Sequence, residues 1–104
     1  MGKKYRIEYL PVAQSDLTEL LDYIQKDNPS AALALLDQID EAILKLEVFP
    51  FMGQVPKDRR LQNLNYQMLI VSSYLIFYVA KDNVVEIRRI LHGRKKYGFL
   101  IDPR

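Results

Sequence analysis

Cysteine is absent and histidine occurs once, at His92. The first absence excludes a disulfide framework, a thiolate zinc site and a cysteine nucleophile; the second excludes a histidine-rich metal centre. Glycine and proline together number nine in 104 residues, while Leu, Ile, Val, Tyr and Phe are plentiful, which is not the composition of a disordered chain. The longest apolar runs are about seven residues, against the ~20 that a membrane-spanning helix needs. Met1-Gly2-Lys3-Lys4-Tyr5-Arg6 carries bases with no apolar stretch behind them, so no secretory signal is read there. Arg6 also stands where a myristoylation signal has Ser or Thr. The default expectation is a cytoplasmic protein with no membrane contact. Gly53 and Gly93 are isolated, so there is no phosphate-binding loop, and no serine lies in a nucleophile elbow.

What is present reads as one domain over residues 1–104, with 49% apolar and 27% charged residues. The net charge of +2 hides a strong division along the chain. Residues 8–47 hold nine acids and two bases, a balance of −7, whereas residues 57–96 hold nine bases and three acids, a balance of +6. One acidic and one basic face follow. The basic face is suited to a polyanion, or both faces serve only solubility.

Tyr5, Ile7 and Tyr9 alternate with Arg6 and Glu8, a half-buried strand that stops at Pro11. Leu17, Leu20, Leu21 and Ile24 form one helical stripe, for which Ser15 or Asp16 offers a cap and Glu19 a capping-box partner. Asn28-Pro29 reads as the cap and first residue of a second helix, whose apolar positions are Ala32, Leu36, Ile39, Ile43 and Leu46 and which stops before Pro50. The two helices make an antiparallel hairpin. A loop, Phe51–Pro56, leads to the basic run Lys57-Asp58-Arg59-Arg60. Strands follow at Tyr66–Val71, Tyr74–Ala80 and Val84–Leu91, with turns at Ser72-Ser73 and Lys81-Asp82-Asn83. Arg88 and Arg89 must point to opposite faces of the last strand, where an arginine facing the helices would pair with their acids. The order β-α-α-β-β-β gives an α+β domain with a helical hairpin packed on a small antiparallel sheet. Residues 98–104 form a tail, apolar at Phe99-Leu100-Ile101, that either docks or moves.

The most suggestive segment is Ile90-Leu91-His92-Gly93-Arg94-Lys95-Lys96-Tyr97, where the chain leaves the sheet. Gly93 permits a sharp turn and a close approach. Metal-free cleavage of RNA needs a base for the 2′-hydroxyl, an acid for the leaving oxygen and cations around the phosphorane. His92 and Tyr97 are suited to the proton transfers, Arg94 to the developing charge, and Lys57, Arg59, Arg60, Arg89, Lys95 and Lys96 to phosphates. The plainer alternatives are a polar residue on the sheet's rim for His92, a solvated or phosphate-contacting cluster for Arg94-Lys95-Lys96, and a tail anchor for Tyr97.

The chain resembles the RelE/ParE toxins of bacterial type II toxin–antitoxin systems. The likeness lies in the element order, Tyr5–Leu10, Asp16-Leu17-Thr18-Glu19-Leu20, Tyr74-Leu75-Ile76-Phe77-Tyr78-Val79 and the ending Ile87-Arg88-Arg89-Ile90-Leu91-His92-Gly93-Arg94-Lys95-Lys96-Tyr97. It spans roughly residues 4–98. The resemblance implies a cytosolic toxin that needs no cofactor, is held inactive by a cognate antitoxin, and meets operator DNA only through that antitoxin. RelE-like members cut mRNA in the ribosome, whereas ParE-like members inhibit DNA gyrase without chemistry of their own. The first expectation is a ribosome-dependent mRNA endonuclease using His92, Arg94 and Tyr97. The alternatives are a gyrase inhibitor and a non-toxic remnant that only binds antitoxin. Many members carry an arginine after the tyrosines matched by Tyr66 and Tyr74; here those places hold Gln67 and Leu75. A homodimer through the helical hairpin is also open.

Overall fold

The computed structural model describes residues 3–93. Strand β1 (Arg6–Tyr9) is followed by helices α1 (Pro11–Asp27) and α2 (Pro29–Leu44), a single 3-10 turn (Lys45–Glu47), a short helix α3 (Arg59–Asn63), and strands β2 (Gln67–Val71), β3 (Tyr74–Lys81) and β4 (Val84–His92). The helical hairpin and the three C-terminal strands are as the sequence pattern predicts.

One local reading is corrected. Helix α1 is not capped by Ser15 or Asp16: Pro11 occupies its first turn and Leu10 is its N-cap. Proline has no amide to lose there, and its fixed φ already suits the helix. Within the basic run, Asp58 caps α3 by accepting a hydrogen bond from the Arg60 amide at 2.8 Å. The Asn28-Pro29 reading holds, since the Asn28 side chain accepts from the Ala31 amide at 3.1 Å.

The sheet order is β1-β4-β3-β2. The pairs β2–β3 and β3–β4 are antiparallel hairpins, whereas β1 lies parallel to β4, with Ile7 opposite Val85 and Tyr9 opposite Ile87. The turn between β3 and β4 is Asp82-Asn83, both with positive φ (54° and 65°), the conformation that matches the twist of a two-residue hairpin.

Strand alternation divides the core between the two sheet faces. On one face Ile76, Tyr78, Val85, Ile87 and Ile90 pack against Ala13 of α1 and Leu35, Ile39 and Ile43 of α2. Leu35, rather than Leu36, is the buried member of that helical turn. On the other face Phe77, Val79 and Leu91 form a smaller cluster with Tyr66 and with Leu61 of α3. Leu61 is completely buried, so the five-residue helix is held by packing and not by its own hydrogen bonds.

Candidate functional site

His92 ends β4 opposite Tyr74, and the two rings meet edge to face with centroids 5.3 Å apart. Tyr74 packs against the core beneath α1. The open cleft at this corner is lined by His92, Tyr74, Ile90, Leu20, Tyr23 and the carboxylates Asp16 and Glu19. The histidine is thus brought to an acidic cleft. Gly93 does not turn through a positive φ; its amide donates to the Ser73 carbonyl at 2.7 Å, closing the β3–β4 ladder.

Arg88 and Arg89 point to opposite faces by strand alternation, and a β-bulge beside them lets Ile90 face the helices as well. Phe77 is opposite Arg89 and Tyr78 is opposite Ile87, so β4 carries one residue more than β3 at this point. Arg89 turns toward α1, where its Nε and Nη2 donate to Asp16 at 2.7 and 2.9 Å. Asp16 Oδ2 also accepts the Ile90 amide at 3.0 Å, a donor beside the irregular point of the ladder. One carboxylate therefore satisfies three donors. The side chains are only 20% (Arg89) and 11% (Asp16) exposed, and the Asp16 hydrogen bond raises the Arg89 guanidinium above its ordinary value against the opposing effect of burial. Arg89, expected among the phosphate contacts, is engaged in joining α1 to the sheet. On the other face Arg88 Nε approaches Glu86 Oε1 at 2.7 Å without hydrogen-bond alignment, and its guanidinium lies 5.5 Å over the Tyr66 ring.

Of the other expected phosphate contacts, the three before β2 lie away from His92. Lys57, Arg59 and Arg60 are exposed at the start of α3, which covers the sheet face opposite α1. Arg60 is held by Asp58 through Nε and Nη2 at 3.3 and 3.0 Å. That same side-chain hydrogen bond holds the Asp58 carboxyl below its ordinary value. Arg94, Lys95, Lys96 and Tyr97 lie outside the described residues, as does the tail 98–104. Among the described residues no cluster of three or more His, Asp or Glu has the geometry to hold a metal, and no helix is long and apolar enough to cross a membrane.

The two positions where the resemblance implies arginine have other employment here. The Gln67 amide donates to the carbonyls of Phe51 and Gly53, both at 3.0 Å. Leu75 packs into the second apolar cluster. Gln67 is one of three devices fixing the loop after α2. The others are a two-way backbone bridge between Gln54 and Met68 and the Gly53 amide donating to the Tyr78 hydroxyl at 2.9 Å. The loop presents Phe49, Phe51, Met52 and Val55 to solvent on this fixed frame. Sequence reading missed that surface because it saw only Gly and Pro punctuation. It missed Asp16 as the bulge partner because the match lies 73 residues away in sequence.

A helical hairpin over a four-stranded sheet with this geometry is the architecture of toxins from two-component toxin–antitoxin systems. A chromosomal ParDE system from P. aeruginosa superposes with a TM-score of 0.71 at 17% identity, covering 88% of this chain and 98% of that one. The RelBE2 toxin–antitoxin complex from Mycobacterium tuberculosis gives 0.61 at 22% identity, covering 86% and 98%. No match to a curated protein sequence was found. Residues 7–97 match the family described as the ParE toxin of the type II toxin–antitoxin system parDE. The chain belongs to the RelE/ParE family and is a toxin of a type II toxin–antitoxin system.

Proposed function

We propose that this toxin acts by binding DNA gyrase rather than by cutting mRNA, and that a cognate antitoxin holds it inactive in the cytoplasm. The observation that carries the reading is the surroundings of His92. Among the described residues the carboxylate of its cleft left outside the Asp16–Arg89 pair is Glu19, whose charge opposes entry of an RNA phosphate. The nearest core-facing cation, Arg89, is already held by Asp16. Leu75 supplies packing where the resemblance implies an arginine. The match to the ParE family over most of the chain supports the same choice.

The nuclease reading keeps one support: His92 stands at the strand end with Arg94 and Tyr97 following it in the sequence. In that reading His92 and Tyr97 share the acid and base roles, Arg94 stabilises the phosphorane, and Lys57, Arg59, Arg60, Lys95 and Lys96 hold RNA on the ribosome.

The two readings part on purified components. With the gyrase reading, the toxin inhibits supercoiling or traps cleaved DNA, and leaves mRNA on programmed ribosomes uncut. The His92→Ala variant inhibits gyrase within about threefold of the parent. Under the nuclease reading the same substitution removes a proton-transfer group worth about 10²–10⁴ in rate. Ribosome-dependent mRNA cleavage abolished by His92→Ala would refute the gyrase proposal.

A further inference from the structure

Val48, Phe49, Phe51, Met52 and Val55 are each at least 50% exposed among the described residues. The backbone that carries them is not free to hide them. Gln67 holds the Phe51 and Gly53 carbonyls, Gln54 is bridged to Met68, and the Gly53 amide is tied to the Tyr78 hydroxyl. Gln62 of α3 donates to the Pro56 carbonyl at 2.8 Å, and the Pro56 ring is fully buried. A fixed backbone thus holds apolar side chains in water, an arrangement that costs free energy until something covers them.

Phe51 and Val55 line a groove with Gln62 and Asn65, and with Tyr66 and Ala80 at the sheet. The chain that forms its wall runs on into Lys57 and Arg59, both exposed. Within that basic run Asp58 and Arg60 satisfy each other at 3.0 Å. Lys57 and Arg59 are left, and neither has a salt bridge among the described residues. The surface is therefore apolar at the groove and cationic beside it.

We infer that the toxin grips gyrase through this groove, which receives a segment of the enzyme in which an apolar side chain is flanked by acidic ones. The apolar side chain lies between Phe51 and Val55, and the flanking carboxylates meet Lys57 and Arg59. An inhibitor with no chemistry of its own draws its whole effect from binding. A few anchors carry most of such binding, and anchors fixed before contact lose least in being ordered. Phe51 and Val55, on their pinned loop, are anchors of that kind. A second copy of this chain fits poorly, since its Lys57 and Arg59 would approach their own counterparts across a two-fold axis. Nucleic acid fits poorly too, because two bases make a small phosphate footprint and the apolar surface would stay wet.

The inference rests on the gyrase reading above and adds where the contact is made. The test is inhibition of supercoiling by purified gyrase, run beside binding of the antitoxin. The exposed substitutions Val55→Glu and Arg59→Glu each leave the circular dichroism unchanged. Each raises the toxin concentration needed for half inhibition about tenfold or more, while antitoxin binding is retained. If the parent inhibits gyrase and both variants inhibit it equally well, the inference falls and the gyrase reading stands. A parent that leaves gyrase untouched overturns both. Loss of antitoxin binding in step with loss of inhibition would give the groove to the antitoxin. Binding of a short single-stranded RNA, abolished by the same substitutions, would give it to nucleic acid. Nuclear Overhauser contacts in the free chain between the Val55 methyls and residues 94–104 would give it to the chain's own C-terminus. Each of these three results overturns the inference.

Discussion

Replacing Asp16 with alanine is expected to destabilise the protein by about 3 kcal/mol, with a fall of roughly 15 °C in the thermal midpoint. The substitution removes both hydrogen bonds that Asp16 accepts from a mostly buried guanidinium and leaves the Ile90 amide without its acceptor, both beneath α1. Breaking a buried pair by removing one partner costs more than the pair contributes, because the remaining charge is uncompensated. A domain of this size has about 5–15 kcal/mol in all, so much of its stability is at stake. Asp16→Asn keeps an acceptor for the Ile90 amide and is expected to lose less. The paired change Asp16→Leu with Arg89→Met removes both charges and recovers most of the loss. Chemical denaturation of the four proteins checks the order. A loss below 1 kcal/mol for Asp16→Ala would mean that the bulge does not depend on this carboxylate.

Gly53→Val is expected to cost ~2 kcal/mol or more, through space rather than backbone conformation. A Cβ at Gly53 would lie 2.5 Å from the Tyr78 hydroxyl, 2.8 Å from its ring and 2.9 Å from the Met68 carbonyl. Neither neighbour yields easily. Tyr78 is fully buried in the main core, and Met68 is held by the bridge to Gln54. The loop must therefore lift, breaking the Gly53–Tyr78 hydrogen bond and the Gln67 contacts together. Amide exchange at Gln54 and Met68 reports the lifting directly, and faster exchange at both is the expected result. Unchanged exchange with unchanged stability would show that the loop is not anchored at Gly53.

Much of the fold is legible in the sequence because its signals are local. The stripe in α1, Asn28-Pro29 opening α2 and the turn residues at Ser72-Ser73 and Asp82-Asn83 each act within a few positions. The alternation that sends Arg88 and Arg89 to opposite faces is local too, and the helix-facing one does pair with an acid of α1. What the sequence hides is non-local or too short. The parallel pairing of β1 with β4 joins residues nearly 80 positions apart, and no spacing rule announces it. Helix α3 is too brief to show a period, and Asp58 and Leu61 reveal it only once the sheet is present for Leu61 to pack on. Asp16 reads as a helix cap by residue type, but Pro11 starts the helix earlier and frees Asp16 for the bulge. The candidate site is legible only as a location. The sequence places His92 at the end of a strand but gives no sign that Asp16 and Glu19 of α1 line the cleft beside it.

The most direct test of the central proposal is pulse-labelling of DNA and protein synthesis after inducing this chain without its antitoxin. DNA synthesis falling first, with translation continuing and mRNA intact, is the predicted result. Early loss of translation with mRNA cut on ribosomes would contradict it and return the chemistry to His92, Arg94 and Tyr97.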